Sequence, residues 1–395
     1  MVSLQEARST ICAQVSPLDS SPVPLTEARG RVLGSDIISP EDFPAFDRSA
    51  MDGYAISGSD TSQRFRVLAE VRPGDRADFE LHPGECARIF TGGRLPGGAS
   101  HVVMQEDAAR EGEFMTPLRL DAAVSHVRRR GEDARRGDRL LRAGTRLQAP
   151  ELALLAQAGF IAPPLITAPR VMHLATGEEL VDPSLQPGPG QIRDSNSTLV
   201  GALLAEAGAR LVHQTRCGDT LELLVNEVSA APEHWDLLLI SGGASVGDYD
   251  FGARALTELG FQIHFRSVNL RPGKPMIFAT RGRQVAFVIP GNPVSHFVVF
   301  HTAIRLALEC LENAEPEWSP VDLPIIDALS DQAGPRDTYW PARVDAKEGR
   351  LHVRPLAWRS SGDLCGLAGA NALIERLAGS GPIAAGTHVR CRLLH

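Results

Sequence analysis

The sequence predicts a multidomain α/β protein built around a central, doubly wound and mostly parallel sheet, because short apolar runs end repeatedly in glycine-bearing loops. The apolar runs lie at 172–175, 237–240 and 285–289, and they are followed by Thr176-Gly177-Glu178-Glu179, by the loop 241–250 (SGGASVGDYD) and by Pro290-Gly291-Asn292-Pro293. Strands that alternate with helices are typical of a parallel sheet covered on both faces. Ligands of such sheets bind at the carboxyl ends of the strands, so we expect an anion-binding cleft where these loops gather.

The N-terminal stretch, residues 1–36, is predicted to be helical at its start. Its opening segment places Leu4, Ala7 and Ile11 at helical spacing on one face and lacks the apolar core of a signal peptide. Residues 37–143 are rich in glycine, proline and β-branched residues, a composition typical of short strands and turns. We therefore expect a helical N-terminal region interrupted by a β-rich inserted domain.

Residues 144–169 are expected to return to the helical N-terminal region. Apolar residues recur at helical spacing from Leu147 to Ala158, and Gly159 is a candidate helix end. Three prolines then mark a linker: Pro163, Pro164 and Pro169. The α/β domain is predicted for the residues that follow, 170–315.

Candidate helix starts follow the strands within the α/β domain. Asn196 is a candidate N-cap, and Asp219 with Glu222 has capping-box spacing. Asn292 and Pro293 are typical of an N-cap and a first helical position. These signals place a helix after each strand, as a doubly wound sheet requires.

The last region, residues 316–395, is predicted to be a small C-terminal β-domain. Polar and apolar residues alternate at 351–354 and at 388–393, and helical periodicity is weak.

Composition excludes several classes of function. The net charge of −8 disfavours a general binder of nucleic acids or of anionic membranes. The sequence contains no run of about 18 apolar residues, so it predicts no membrane span. The six cysteines form no CxxC pair, which argues against a thiolate zinc site and against a disulfide framework. We expect free thiols in a reducing cytoplasm.

The loop 241–250 carries the strongest local signal. Gly242 and Gly243 allow backbone amides to approach a ligand, and consecutive amides before a helix form an anion nest. Asp248 and Asp250 follow, and carboxylates beside phosphate oxygens usually indicate a divalent metal, most naturally Mg²⁺. A tight turn with one of the two aspartates as a helix cap explains the same residues equally well.

Two further loops point to the same cleft. Pro290 to Pro293 form a rigid turn after a buried strand, although turn chemistry alone also explains them. Arg271 and Lys274 supply two cations on a loop stiffened by proline and glycine, and the neighbouring anion loops raise phosphate binding above the default of solvated charge. This loop lacks the spacing of a Walker A motif.

Other candidate residues are individually ambiguous. The Glu179 carboxylate is a candidate metal ligand or general base, but a solvated turn explains this segment equally well. Helix capping explains Asp219 fully. Asp52 and Thr91 each precede glycine, where turn residues are common. The spacing of the twelve histidines reveals no Ser/His/Asp or Cys/His arrangement.

Taken together, the segments resemble the molybdopterin molybdenumtransferase family, MoeA-like proteins whose animal relative is the C-terminal domain of gephyrin. The matching segments run in order through almost the whole chain: PAFDRSAMDGYA (44–55), IFTG (89–92), RRGED (129–133), TGEEL (176–180), DSN (194–196), SGGASVGDYD (241–250), PGKP (272–275), PGNP (290–293) and SSGD (360–363). Their order makes the resemblance far more specific than any single motif.

The resemblance implies a central domain of the molybdopterin-binding type in an elongated four-domain chain that forms a homodimer. It implies a cleft between the α/β domain of one subunit and the β-rich second domain of the other. The implied reaction inserts molybdate into adenylylated molybdopterin with the help of Mg²⁺, forms molybdenum cofactor and releases AMP. The molybdopterin adenylyltransferase and other cofactor-biosynthesis proteins are the further partners expected.

The resemblance also implies roles for individual residues. The catalytic set is Asp52, Thr91, Asp133 and Glu179. The substrate-binding set is Gly242, Gly243, Ser245, Arg271, Lys274, Pro290, Gly291, Asn292, Pro293, Arg336 and Ser361, of which Arg336 and Ser361 are the candidates for molybdate. The metal set is Glu179, Asp219, Asp248 and Asp250.

Some positions depart from the family pattern, and two alternatives stay open. Ser100 and Ser267 stand where acidic and basic residues are common, Arg271 stands where Lys is more frequent, and 356–361 lacks a usual glutamine. One alternative is a molybdopterin adenylyltransferase, which shares the α/β domain type. The other is a pterin-binding or scaffold protein that has lost catalysis.

Overall fold

The structure, a computed structural model, describes residues 1–120, 123–231, 234–243, 251–315, 320–347 and 349–394. The chain forms two compact units. The first contains Met1–Gly34, Gly144–Gln148 and Ala162–His395, and the second contains Ser35–Ala143 and Ala149–Ile161. Neither unit is one continuous segment. The boundaries of the four regions stay a prediction, because these two units do not resolve them.

The first unit contains the central sheet that the sequence predicts. Its strands lie in the order Arg210–Cys217, Arg170–Thr176, Leu237–Ser241, Gln284–Ile289, Ile277–Arg281 and Gln262–Phe265. The first four strands of that order run parallel. The last two strands are antiparallel to their neighbours. The mostly parallel sheet is therefore confirmed, with an antiparallel edge.

Both faces of the central sheet are covered, because alternate side chains of a buried strand point to opposite faces. Leu237 and Leu239 pack into one apolar cluster, and Leu238 and Ile240 pack into another. The first cluster includes side chains from the helices Ser195–Glu206 and Pro293–Val299, and the second from Leu221–Ala230 and Phe251–Glu258. A continuous apolar run is thus what a strand covered on both faces requires.

The helix Leu4–Gln14 begins at a capping box. The Glu6 main-chain N–H donates to the Ser3 hydroxyl, and the Ser3 main-chain N–H donates to the Glu6 carboxylate at 2.7 Å. Its buried face is Leu4, Ala7 and Ile11, which confirms the predicted face.

Two predicted caps are wrong by one or two residues. Asp194, not Asn196, caps Ser195–Glu206, because its carboxylate accepts the Ser197 main-chain N–H at 2.9 Å. Thr220, not Asp219, caps Leu221–Ala230, because its hydroxyl accepts the main-chain N–H of Leu223, three residues later. Asn292 and Pro293 do occupy the cap and first position of Pro293–Val299.

The described residues contain one helical stretch, Pro293–Leu311, that is long and apolar enough to cross a membrane by length and composition alone. It consists of Pro293–Val299, the π-helical turn Phe300–Ile304 and Arg305–Leu311. Of its apolar window, 83% is buried inside the protein. Packing in the core of the first unit accounts for its composition.

A second sheet of the first unit is formed by C-terminal strands, which confirms the alternating patterns. Its order is Leu270–Arg271, Asp337–Lys347, Ala372–Arg376, His388–Leu393 and Val321–Pro324, with Arg350–Pro355 paired to Asp337–Lys347. The short helix Leu364–Leu367 and the 3₁₀ turn Leu25–Glu27 also belong to this unit.

The predicted proline linker is partly wrong. Pro164–Ile166 is a strand that pairs with Ser20–Pro22. Pro164 is the first residue of that strand, a position where a proline, which has no N–H to donate, is tolerated. A further short pair joins Leu180–Val181 to Ile192–Arg193.

The second unit is β-rich. The strands of its largest sheet lie in the order His101–Met104, Gly53–Ile56, Glu85–Ile89, Phe65–Val71, Phe114–Pro117 and Ala108–Glu111. Short pairs join Ile37–Ile38 to Arg139–Leu141 and Arg48–Ser49 to Val127–Arg128. The unit also contains the 3₁₀ turn Gln105–Asp107 and the helix Ala149–Gln157.

Candidate functional site

A pocket of about 340 Å³ lies at the carboxyl ends of the central parallel strands. Its lining residues are Ala175, Thr176, Glu179, Leu180, Ile192, Arg193, Ser195, Asn196, Ser241, Gly291, Asn292, Pro293, Gly362 and Leu364. The predicted site residues Glu179, Gly291, Asn292 and Pro293 are therefore brought together. This is the position at which open α/β sheets bind ligands.

The glycine loop begins directly at the end of the Leu237–Ser241 strand. Gly242 and Gly243 have φ angles of +99° and +65°, which favour glycine. A Cβ on Gly242 would lie 2.4 Å from the Thr176 hydroxyl oxygen, so the side chain of any other residue would clash there. The predicted site residues Ser245, Asp248 and Asp250 lie outside the described residues.

Two polar atoms of the pocket are buried without a hydrogen-bond partner among the described residues. They are the hydroxyl oxygen of Thr176 and the amide oxygen of Asn196. Buried polar atoms are normally paired, so these two oxygens are poised to bind a ligand or the rest of the glycine loop. Both are hard oxygen donors of the kind that Mg²⁺ prefers.

Glu179 and Asp219 lie at neighbouring strand ends. The Glu179 carboxylate folds back over Gly177, whose added Cβ would lie 2.8 Å from a carboxylate oxygen. Asp219 follows the strand Arg210–Cys217, which pairs with the strand that leads to Thr176. Burial and the charges of Glu227 and Asp219 raise the pKa of the Cys217 thiol to about 11. Within the described ranges, no three His, Cys, Asp or Glu side chains are grouped to hold a metal ion.

The PGNP turn is fixed to the pocket by hydrogen bonds to its backbone. The Asn196 amide donates to the Gly291 carbonyl at 2.7 Å, and the Val294 N–H donates to the Ser361 carbonyl at 3.0 Å. The Asn292 side chain makes no capping bond within the described part of the chain. Asn292 lines the pocket, and the Ser361 main chain lies beside the turn, while the role of Ser361 in binding molybdate stays a prediction.

The basic loop lies at the junction of the two sheets of the first unit. Leu270–Arg271 pairs with the start of Asp337–Lys347, and Arg336 donates to the Leu270 carbonyl at 3.3 Å. The Arg271 guanidinium lies 5.6 Å from the centre of the Trp358 ring. The predicted cations Arg271 and Arg336 are thus neighbours, whereas Lys274 is half-buried and its main chain accepts from Val268.

A chain of buried hydrogen bonds runs beneath the pocket. Ser241 lies between two imidazoles, with its hydroxyl oxygen 2.7 Å from Nε2 of His173 and 2.7 Å from Nε2 of His296. Nδ1 of His173 lies 2.9 Å from the Gln214 amide nitrogen, and Nδ1 of His296 lies 3.0 Å from the Asn292 carbonyl oxygen. Sequence spacing did not reveal this arrangement, because its members lie on different strands and a helix.

Both imidazoles are neutral near pH 7. Burial, with a smaller contribution from the neighbouring His296, lowers the pKa of His173 to about 3, while Asp194 opposes the shift. Burial lowers the pKa of His296 to about 4, against the opposing effects of the Asn292 carbonyl and Asp194. Each ring therefore carries a single N–H.

The second unit positions Asp52 and Thr91 in direct contact. One carboxylate oxygen of Asp52 accepts both the main-chain N–H and the hydroxyl of Thr91, each at 2.7 Å. These two bonds, the backbone one foremost, lower the pKa of Asp52, and the Arg88 charge adds to the effect. Asp52 is thus held as a carboxylate through one oxygen, and no residue of the described part of the chain donates a hydrogen bond to the other.

Family models match nearly the whole chain: "MoeA N-terminal region (domain I and II)" over residues 2–159, "Probable molybdopterin binding domain" over 172–309, and "MoeA C-terminal region (domain IV)" over 331–394. The molybdopterin molybdenumtransferase of Nostoc sp. (strain PCC 7120) is 35% identical over 408 residues, which cover 98% of this chain and 93% of that protein. The chain belongs to the molybdopterin molybdenumtransferase family.

Other relatives agree with that membership. The molybdopterin molybdenumtransferase of Bacillus subtilis (strain 168) is 31% identical over 404 residues, which cover 100% of this chain and 94% of that protein. Among solved structures, the molybdopterin biosynthesis MoeA protein of Pyrococcus horikoshii OT3 is similar with a TM-score of 0.85 at 29% identity, and the match covers 100% of both chains.

Asp133, a residue of the family's RRGED-like segment, is paired in this structure. Its carboxylate accepts from the Arg128 guanidinium. The next two arginines are also paired, Arg129 with Asp47 at 2.9 Å and Arg130 with Asp42 at 2.7 Å. This basic run therefore forms a local ion-pair cluster in the second unit, and within the described residues no hydrogen bond or ion pair joins Asp133 to Asp52.

Ser100, one of the departures from the family pattern, has a local structural role. Its hydroxyl accepts the Gly58 N–H at 2.8 Å, and its carbonyl accepts from Arg129 at 3.0 Å. Ser267 contributes its carbonyl to the Val2 N–H. Both residues therefore make local contacts with the backbone or with a side chain of their own unit.

Proposed function

We infer that this chain is a molybdopterin molybdenumtransferase, which inserts molybdate into adenylylated molybdopterin and releases AMP as molybdenum cofactor forms. The observation that carries the inference is the pocket at the strand ends, where a glycine turn and a carboxylate meet two buried oxygens that have no partner among the described residues. Full-length relatives with this name support it.

The pocket suits a phosphate-bearing pterin. Gly242 and Gly243 adopt the positive φ angles that let a backbone approach an anion closely, and Ser241 and Asn292 line the pocket. Breaking a phosphoanhydride bond places negative charge on phosphate oxygens, which nearby cations stabilise. We assign that task to Arg271 and Lys274, and we assign binding of the molybdate oxyanion to Arg336 with Ser361.

We propose that Mg²⁺ assists the reaction. Glu179 and the Thr176 hydroxyl would hold it, with Asp219 nearby and Asp248 and Asp250 as further candidates. Mg²⁺ usually keeps several waters and takes only one or two carboxylates, so a compact group of three acidic side chains is not needed. When bound, the ion would neutralise charge on the phosphate oxygens.

Asp52 and Thr91 supply the second polar group that we assign to catalysis, with Asp133 in a supporting role. The contacts from Thr91 keep the Asp52 carboxylate ionised and fixed in direction, as a group that acts on a substrate must be. We further propose a cytoplasmic homodimer that receives its substrate from a molybdopterin adenylyltransferase. The free thiols of all six cysteines, which lie in the described ranges, suit a reducing compartment.

A turnover assay tests the proposed function. Purified protein receives adenylylated molybdopterin, molybdate and Mg²⁺, and AMP release is followed together with activation of an apo-molybdoenzyme. AMP release that requires molybdate and activates the apo-enzyme supports the transferase. Tight pterin binding without AMP release contradicts it and indicates a binding paralogue. Formation of adenylylated molybdopterin from ATP would indicate the adenylyltransferase instead.

The metal assignment has its own test. Glu179→Gln should raise the Mg²⁺ concentration needed for half-maximal AMP release more than it weakens pterin binding, because the amide keeps the shape but loses the charge. Glu178→Gln, at the exposed neighbouring position, is the matched control. Equal losses of metal response and pterin binding in Glu179→Gln would count against a metal role.

A further inference from the structure

The hydrogen-bond chain beneath the pocket has only one possible direction. Its two ends are main-chain carbonyls, which can only accept: Asn292 O faces Nδ1 of His296, and Ser197 O lies 3.0 Å from the Gln214 amide nitrogen. Nδ1 of His296 must therefore carry the ring proton, and the Gln214 amide must direct its N–H groups toward Ser197 and His173. Hydrogen positions follow from these fixed acceptors rather than from ring geometry.

The rest of the chain follows from the two ends. Because neutral His296 is protonated at Nδ1, its Nε2 accepts from the Ser241 hydroxyl. Because Nδ1 of His173 accepts from Gln214, its Nε2 carries the proton and donates to the Ser241 oxygen. Ser241 thus donates once and accepts once, and every polar atom of the two buried rings is satisfied.

We propose that His173, Ser241 and His296 are positioning residues that hold the glycine loop and the PGNP turn at a fixed separation for the pterin phosphate. This proposal rests on the proposed function and deepens it. Ser241 and Asn292 both line the pocket, and His296 is the direct bridge between them. The Asn292 carbonyl also accepts the His296 main-chain N–H at 3.1 Å, so one residue holds that carbonyl at two points.

The chain cannot serve as a proton relay. A relay needs a group at each end that can take up or release a proton, whereas here the two ends are the main-chain carbonyls of Asn292 and Ser197. The chain therefore fixes geometry. It satisfies the Asn292 backbone carbonyl from within the protein, and the Asn292 side chain makes no capping bond within the described residues.

The ring protons give a test that needs no substrate. In ¹⁵N-histidine NMR spectra of the full chain near pH 7, His173 should show the Nε2–H tautomer and His296 the Nδ1–H tautomer, assigned with His173→Gln and His296→Gln. The same tautomer in both rings, or a doubly protonated ring, would overturn the proposal. Nε2–H in His173 together with Nδ1–H in His296 would support it, and the reversed pair would overturn it.

Kinetics test the positioning role. His296→Leu should raise the KM for adenylylated molybdopterin about tenfold with kcat within about twofold, because both ring hydrogen bonds that link Ser241 to the Asn292 carbonyl are lost. His296→Gln should recover most of that loss, since one amide can accept from Ser241 and donate to Asn292. His264→Leu is the matched control, because His264 also bonds a hydroxyl, Thr280 at 2.8 Å, but lies outside the pocket lining.

The outcomes separate this proposal from the proposed function. A KM rise confined to His296→Leu and reversed in His296→Gln supports positioning, and an equal rise in His264→Leu overturns it. If wild-type protein releases no AMP, the proposed function fails, while affinities for adenylylated molybdopterin, measured by pterin fluorescence on the same variants, still decide the positioning role. If His296→Leu does not fold, His296→Gln and the wild-type tautomers carry the test.

Discussion

The strand-end pocket of the first unit and the Asp52 turn of the second unit hold polar groups in opposite ways. In the pocket, Ser241 and its two histidines are buried, neutral and bonded across elements that are distant in sequence. In the turn, Asp52 is partly exposed and charged, and it is held by both donors of a single residue, Thr91. One region fixes backbone loops, and the other fixes a single reactive side chain.

This difference teaches which consequences a substitution should have. A buried polar group that loses its partner costs free energy of folding, because neither water nor another protein atom replaces the bond. An exposed carboxylate costs little when it is removed from the fold, so its loss should appear in turnover instead. The two regions can therefore be told apart by measuring stability and activity on the same variants.

The largest expected effect is on turnover. Asp52→Ala should lower kcat by about 10³-fold, the usual scale for a positioned acid–base group, while the thermal midpoint stays that of wild type. Asp75→Ala is the matched control, because Asp75 also accepts a turn N–H, from Arg72 at 2.7 Å, in the same unit. Wild-type AMP release by Asp52→Ala would show that the catalytic assignment is wrong.

The next effect is on stability. Ser241→Ala should lower the free energy of unfolding by about 3 kcal/mol, because it leaves a donor on His173 and an acceptor on His296 unpaired and buried. Ser39→Ala, a buried serine of the second unit that donates to one carbonyl, should cost about 1 kcal/mol. Urea unfolding measures both variants, and equal losses would contradict a double role for Ser241.

Acid should weaken the first unit through its buried histidines. The folded pKa values of His173, about 3, and of His296, about 4, lie below the ordinary value for histidine. The unfolded chain therefore binds protons that the folded protein excludes. The contribution of the two histidines to the free energy of unfolding is fully present above about pH 6.5. Below that pH, and down to the folded pKa, each histidine lowers the free energy of unfolding by about 1.4 kcal/mol per pH unit. His296→Gln should show a shallower acid loss between about pH 6 and pH 4. An unchanged slope would mean that His296 titrates normally.

The smallest effect concerns the support of Asp52. Thr91→Val removes the hydroxyl but keeps the main-chain N–H, which is the main cause of the lowered pKa of Asp52. The acid side of the pH–activity profile should move upward, because the carboxylate then ionises closer to its ordinary range. Thr116→Val is the control, because Thr116 lies in the strand Phe114–Pro117 of the same unit, and it should leave the pH–activity profile unchanged. A downward movement in Thr91→Val would contradict the contact.

Local chemistry made much of the fold predictable. Continuous apolar runs indicated strands covered on both faces, and Asn292 with Pro293 marked a helix start that the structure confirms. Cap identities failed at Asn196 and Asp219, because several neighbouring residues can accept the same N–H and only the final backbone path selects one.

The buried chain of Ser241 could not be predicted, for a physical reason. His173 lies 68 residues before Ser241, and His296 lies 55 residues after it. Such contacts depend on which strands become neighbours, and residue spacing carries no trace of that order. Asp52 and Thr91, which are 39 residues apart, were placed in one catalytic set only through resemblance to a family, and their contact was not predicted.

The interleaving of the two units has a consequence for biosynthesis. All of the second unit lies within residues 35–161, so it leaves the ribosome before the central sheet of the first unit exists. Domains generally fold as units during synthesis, so the segment Met1–Gly34 can pack only after the later segments of the first unit, Gly144–Gln148 and Ala162–His395, have been made. Leu33 exchanges backbone hydrogen bonds with Gly144 and Thr145, at 2.8 and 3.0 Å, so the insertion leaves and returns at adjacent positions. Early folding of the insertion therefore shortens the loop that the waiting segment must close, which lowers its entropic cost.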